Sequence, residues 1–313
     1  AGRMSELILH HYPTSPFAEK VRLILGYKQL AWKSVFIPMI MPKPDLTALT
    51  GGYRKTPVLQ IGADIYCDTT LICDVLEQLA PAPALYPEAT EGAARIVAQW
   101  ADSALFTAAM AWNFQPAGVA QVFAGASEDV VKTFVADRTA MRGGAPRMAA
   151  SDAAATYKAY LQRIASMLRG QDFLFGAQPC VADFAAYHPL WFTQERTPAM
   201  AGILDETHEV KDWMARMKAI GHGHSDKCSA EQALQVAANA SPAPLQGAFH
   251  DEHGVPLGSR VVVAADHFGQ EPTEGELVAA TRDRYTLRRT DPRAGTVHVH
   301  FPRIGFTLRK VSP

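Results

Sequence analysis

The sequence predicts three parts in series: an α/β unit, an all-α region and a small β-rich region. Three observations carry this. Short apolar runs alternate with helical periods over roughly the first 80 residues, an ordinary size for one domain. A long Ala-rich stretch with few strand signals follows. After residue 240, β-branched and aromatic runs recur between turn pairs.

Glu6–Tyr12 is a short apolar strand ended by Pro13-Thr14-Ser15-Pro16. Phe17–Tyr27 then carries apolar residues at helical spacing, with Ser15 placed to cap it and Pro16 at the first helical position. Trp32–Pro38 and Thr56–Ile61 are further strands. Gly62-Ala63-Asp64 turns the chain into Ile65-Tyr66, and Asp68–Leu79 is helical again. The order is β-α-β-(α)-β-β-α.

Pro81–Pro87 reads as a linker, and helices are expected at about 91–113, 116–124, 128–142, 151–169, 181–192 and 207–219. A linker at Gly221–His224 and a short helix at Ala230–Asn239 precede five strand signals: Arg260–Val263, Glu276–Val278, Tyr285–Arg289, Thr296–Phe301 and Gly305–Val311. That spacing suggests a small barrel or sandwich. The domains are therefore expected at 4–82, 88–224 and 240–313. Ala1-Gly2-Arg3 ahead of Met4 reads as an expression remnant.

Hydrophobic residues make up 48% of the 313-residue chain and charged residues 19%, enough to fill large cores. A formal net charge of −1 gives no electrostatic case for a nucleic-acid or membrane-surface partner. No apolar run is long enough to cross a bilayer, and no export signal is visible. Cys67, Cys73, Cys180 and Cys228 have neither redox nor metal spacing, so reduced thiols and a cytoplasmic location are expected. His298 and His300 share one strand face, but spacing fixes no acidic or cysteine ligand beside them, so no metal is expected. Arg282, Arg284, Arg288 and Arg289 are interrupted by acids and read as a solvated strand face.

The run Thr14-Ser15-Pro16-Phe17-Ala18-Glu19-Lys20-Val21-Arg22 resembles the first helix of glutathione transferases, especially those using serine or cysteine. Lys55-Thr56-Pro57-Val58-Leu59 resembles the family's loop before its third strand, where the proline is cis. Asp68-Thr69 is similar to its acidic-hydroxyl pair, usually Glu-Ser. Gln178-Pro179-Cys180-Val181-Ala182-Asp183-Phe184 resembles its buried capping box, with Cys180 where Ser or Thr is usual. The resemblance covers about residues 6–220 and implies a thioredoxin-like N-terminal domain followed by a helical domain.

The resemblance also implies a chemistry. A helix N-terminus offers free N–H groups and a positive dipole end, and a hydroxyl there can stabilise the glutathione thiolate. Ser15 occupies that position, with Tyr12 and Thr14 as alternates. Phe17, Lys43, Lys55, Thr56, Pro57, Asp68 and Thr69 match glutathione-binding positions. Thr56 would pair with the cysteinyl backbone, Asp68 and Thr69 would hold the γ-glutamyl end, and Lys43 and Lys55 would meet the glycyl carboxylate, with Arg54 a competitor. Phe106, Met110 and Trp112, with Trp100 and Phe114, are candidates to line a pocket for a small hydrophobic electrophile. The expected activity is glutathione transfer, in a homodimer, with glutathione as co-substrate. A glutathione-dependent isomerase, dehalogenase or peroxidase, or a binding protein that kept the fold, are the alternatives. A disulfide oxidoreductase would need a sulfur nucleophile where Ser15 stands.

Overall fold

The computed structural model describes residues 5–312; Ala1–Met4, and so the start of the first expected domain, lie outside the described residues. β1 (Leu7–His11), α1 (Pro16–Tyr27), β2 (Trp32–Phe36), α2 (Pro44–Thr50), β3 (Val58–Ile61), β4 (Asp64–Cys67) and α3 (Thr69–Leu79) form the α/β unit in the expected order. β2 and β1 run parallel, and β3 and β4 add antiparallel beside β1. β1 is buried along its whole length, so its two polar residues need partners. His10 meets the Gln60 side chain at 2.8 Å, and His11 lies between Ser34 and Arg22.

The helical region runs through α4 (Glu91–Trp100), a π-helical turn (Ala101–Leu105), α5 (Phe106–Asn113), α6 (Pro116–Val122), α7 (Glu128–Arg142), α8 (Ala150–Met167), α9 (Val181–Trp191) and α10 (His208–Lys218). The expected capping box forms at α9. The Asp183 carboxylate accepts from the Cys180 and Leu174 N–H groups and from the Trp213 indole, each at 2.9 Å. One core cluster joins this region to the α1 and α3 face of the α/β unit.

All five C-terminal strand signals become strands: β6 (Arg260–Ala265), β7 (Thr273–Ala280), β8 (Arg284–Asp291), β9 (Gly295–Pro302) and β10 (Phe306–Lys310). The expected closed barrel or sandwich is corrected. The five strands form an open antiparallel sheet with β10 at one edge, and β9 pairs in parallel with β4. With the short β5 (Ser225–Lys227) added beside β2, one ten-stranded sheet results, in the order β10-β6-β7-β8-β9-β4-β3-β1-β2-β5. β5 directly follows the linker expected at Gly221–His224, where no strand was expected; its exposed Ser-Asp-Lys carries no apolar pattern.

One face of the seam between β4 and β9 is polar and buried. His300 takes Asp64 on one ring nitrogen and the Thr286 hydroxyl on the other, each at 2.8 Å, and all three side chains are buried. Burial lowers the His300 pKa and so favours its neutral ring within this hydrogen-bonded row. A second core cluster lies between the C-terminal sheet and the α2 side of the α/β unit, joining Leu46, Leu49, Tyr53 and Ile65 to Leu277, Val299 and Phe301. α11 (Ala230–Ala238) covers the same side.

Candidate ligand site at the start of the first helix

Ser15 caps α1: its Oγ accepts from the Ala18 N–H at 3.2 Å, and its backbone N–H bonds the Tyr12 carbonyl at 3.1 Å. Its hydroxyl proton has no acceptor among the described residues. Arg22, one turn and a half into the helix, fixes the turn that presents Ser15. Its guanidinium donates to the carbonyls of Tyr12, Pro13 and Ser15 at 3.1 to 3.2 Å and to Glu19 at 3.0 Å. Because Arg22 also donates to Nδ1 of His11, Nε2 of that ring carries the proton toward Ser34.

The Thr56-Pro57 bond is cis, as expected. β1 and β3 pair from Leu7 opposite Ile61 to His10 opposite Val58, so Thr56 lies two residues before the start of β3, beyond the paired residues. Thr56 makes no backbone hydrogen bond among the described residues, and the hydroxyls of Thr56 and of Thr14 are buried without partners. Unpaired polar groups at the end of a strand pair, next to a helix N-terminus, are the groups a strand-like ligand would satisfy.

At the start of α3, Asp68 adopts a positive φ of 78° and caps the helix by accepting from the Thr70 N–H at 2.9 Å. Thr69 is buried, and its hydroxyl accepts from Lys20 at 3.0 Å. Lys20 is itself 1% exposed and bonds Asp102 at 2.7 Å; the other Asp102 oxygen meets His188 at 2.9 Å. Burial lowers the Lys20 pKa, but Asp102 outweighs it and holds the ammonium charged. This Thr69–Lys20–Asp102–His188 chain ties the α/β unit to the helices. It was missed in the sequence because its members are dozens of residues apart; the only hint was a lysine and an aspartate on otherwise apolar helix faces.

The three cations near the cis-proline loop differ. Lys43 is buried and donates once, to the Arg54 carbonyl at 2.9 Å; burial first, then Arg54 and Arg138, lower its pKa to about 7. Arg54 forms a two-pronged pair with Asp137 at 2.8 and 2.6 Å, with Glu271 at 3.6 Å. Lys55 turns to the C-terminal sheet, donating to the Phe268 carbonyl at 2.8 Å. The Tyr12 hydroxyl accepts from Arg138 at 3.3 Å.

Of the aromatic candidates, Phe17 of α1 and Phe106 pack with tilted rings, centroids 4.7 Å apart, with His188 against both. Trp112 donates its indole N–H to the Met200 carbonyl at 2.9 Å and packs on the helical core. Met110 is half-buried and accepts weakly from Asn113, while Trp100 packs edge-on against Tyr160. Phe114 stands with Phe134 and Phe192, and Arg138 covers the Phe134 ring at 4.4 Å. Cys67, Cys73 and Cys180 are buried free thiols, pushed up in pKa by burial. None stands at the α1 N-terminus.

Fold and site together define a thioredoxin-like unit with a cis-proline loop before its third strand, docked on a helical domain. The glutathione S-transferase N-terminal domain profile matches residues 9–84, and the C-terminal domain profile matches residues 126–220. A GST-like protein from Pseudomonas syringae is 46% identical, with a TM-score of 0.83 over 98% of this chain and 100% of that one. The chain belongs to the glutathione S-transferase family. FtsZ-localized protein A of Caulobacter vibrioides is 25% identical over 191 residues, 58% of this chain and 74% of that protein. Glutathione transferase GSTFuA3 from Phanerochaete chrysosporium shares the fold at 19% identity and a TM-score of 0.54, covering 70% of this chain and 98% of that one. The extra C-terminal sheet thus lies beyond the two matched domains, while the Pseudomonas relative is matched across almost its full extent.

Proposed function

We propose that the protein binds reduced glutathione along the cis-proline loop and adds its sulfur to a small hydrophobic electrophile. The observation that carries this is Thr56: its unpaired backbone beside cis Pro57 is a strand edge one residue long, the length of a cysteinyl unit. In this reading the Ser15 hydroxyl donates to the sulfur, helped by the α1 N-terminus, with Thr14 and Tyr12 as alternates. A hydrogen bond to the charged form favours the thiolate. Phe17 and Pro57 shape the groove. Asp68 and Thr69 take the γ-glutamyl end, and Lys43 takes the glycyl carboxylate: its one hydrogen bond is to a carbonyl of the loop itself, whereas Lys55 turns to the C-terminal sheet and Arg54 pairs with Asp137.

With an aryl halide the step balances simply. The thiol proton leaves to solvent, the C–S bond forms, the C–halogen bond breaks and halide departs. Phe106 is the pocket residue best placed to meet the electrophile, since its ring packs against Phe17; Trp112 serves the helical core. Isomerase, dehalogenase or peroxidase chemistry would use the same thiolate. A cytoplasmic, homodimeric detoxifying enzyme is the setting this reading implies.

A second reading, a binding protein that kept the fold, is favoured by the internal pairing of Lys55 and Arg54. Retention on immobilised glutathione, followed by a conjugation assay with 1-chloro-2,4-dinitrobenzene, separates the two. Retention with turnover supports the transferase. Retention alone supports the binding protein, and failure to bind removes the glutathione site.

A further inference from the structure

The segment that ends in Thr56 and Pro57 is held chiefly from the C-terminal sheet. The Thr273 hydroxyl, on β7 and fully buried, accepts from the Tyr53 N–H at 3.2 Å and donates to the Thr50 carbonyl at 3.1 Å. It thereby closes both main-chain groups of the turn at the end of α2. Arg289, on β8, donates to the Ala48 and Leu49 carbonyls, orphans of the same helix C-terminus. Two glycines permit the approach. A Cβ on Gly51 would lie 2.6 Å from Nε of Arg289, and one on Gly52 would lie 2.1 Å from the Pro272 carbonyl oxygen.

The β6–β7 loop completes the clamp. Its Phe268 carbonyl takes Lys55, its Gly269 N–H bonds the Met141 carbonyl of α7 at 2.9 Å, and its Glu271 faces Arg54 at 3.6 Å. Gly269 has a positive φ of 75°, and a Cβ there would stand 2.8 Å from the Lys55 stem. The loop therefore bridges the cis-proline segment and α7, whose Asp137 and Arg138 meet Arg54 and Tyr12.

We propose that the C-terminal sheet is a working part of the ligand site, in which Thr273 and Arg289 are positioning residues that set the Thr50–Thr56 segment at the spacing a thiol peptide needs. The glutathione part of this inference rests on the function proposed above; the positioning part does not.

The test uses the full chain. Thr273→Val keeps the shape and removes both hydrogen bonds, whereas Thr273→Ser keeps them. In wild type, glutathione protects residues 50–57 and 266–273 together from amide exchange. Thr273→Val raises exchange across 50–57 without ligand. It raises KM for glutathione about tenfold, the weight of one to two net hydrogen bonds, with kcat within about twofold. Thr273→Ser restores both. If Thr273→Val folds poorly, Arg289→Ala against Arg289→Lys gives the same comparison. Unchanged ligand-free exchange at 50–57 in Thr273→Val overturns the positioning role, as does a lowered melting temperature with KM unmoved. Wild type that gains no protection from glutathione anywhere refutes the glutathione reading instead, and the ligand-free exchange still decides the clamp.

Discussion

Replacing Asp102 with Asn should destabilise the protein by about 3 to 5 kcal/mol, because it leaves a buried ammonium without its counter-charge. Lys20 is 1% exposed and has two side-chain partners, the Asp102 carboxylate at 2.7 Å and the Thr69 hydroxyl at 3.0 Å. After substitution the ammonium can stay charged or lose its proton. At pH 7 the second route costs about 5 kcal/mol, since 3.5 pH units separate neutrality from the ordinary lysine value at 1.36 kcal/mol each. That cost caps the loss, and the Asn amide oxygen recovers part of it. A loss of this size is a large share of the 5 to 15 kcal/mol typical of native proteins. The double variant Lys20→Met with Asp102→Leu removes both charges and should sit within about 2 kcal/mol of wild type. Urea unfolding of Lys20→Met, Asp102→Leu and their double, analysed as a mutant cycle, measures the coupling. The pH dependence has a fixed sign. Burial pushes the Asp102 carboxyl up, but Lys20 and His188 outweigh it, so the folded value lies below the ordinary 3.8. The contribution is therefore complete above that value and lost as pH falls through the lower folded one. A single variant within about 1 kcal/mol of wild type, or a double no better than the single, would refute the reasoning.

Ser15→Ala should lower turnover with an aryl halide about 10- to 100-fold, the weight of a hydrogen bond to a thiolate, with KM for glutathione little changed. It should also cost about 1 kcal/mol of stability through the lost cap, read by urea unfolding. Lys43, with a pKa of about 7, should gain a proton when a carboxylate docks, so calorimetry in two buffers should show proton uptake near pH 8 and little near pH 6. Lys43→Met should abolish the uptake. Between about 7 and 10.5 the unfolded chain holds a proton that folded Lys43 has lost, so this group makes stability rise with pH across that window. The wild-type minus Lys43→Met difference in urea midpoint checks the sign.

The sequence by itself determined the local elements and their order. Apolar period and turn residues marked the α/β unit, the helices and all five C-terminal strands, because a strand or helix records its buried face within a few residues. The helix cap at Ser15, the proline at 57 and the Asp68-Thr69 pair were likewise legible, since each acts on its own backbone. Only the tertiary structure decided how the last sheet attaches. The pairing of β9 with β4 joins Asp64 to His300, 236 positions apart, and no local pattern states which sheet edge a strand will choose. The same holds for Lys20 with Asp102 and for Lys55 with Phe268, 82 and 213 positions apart. For Lys20 burial assigned a partner to the charge, and for Lys55 the approach of the β6–β7 loop turned a lysine matched to a ligand carboxylate toward a backbone carbonyl.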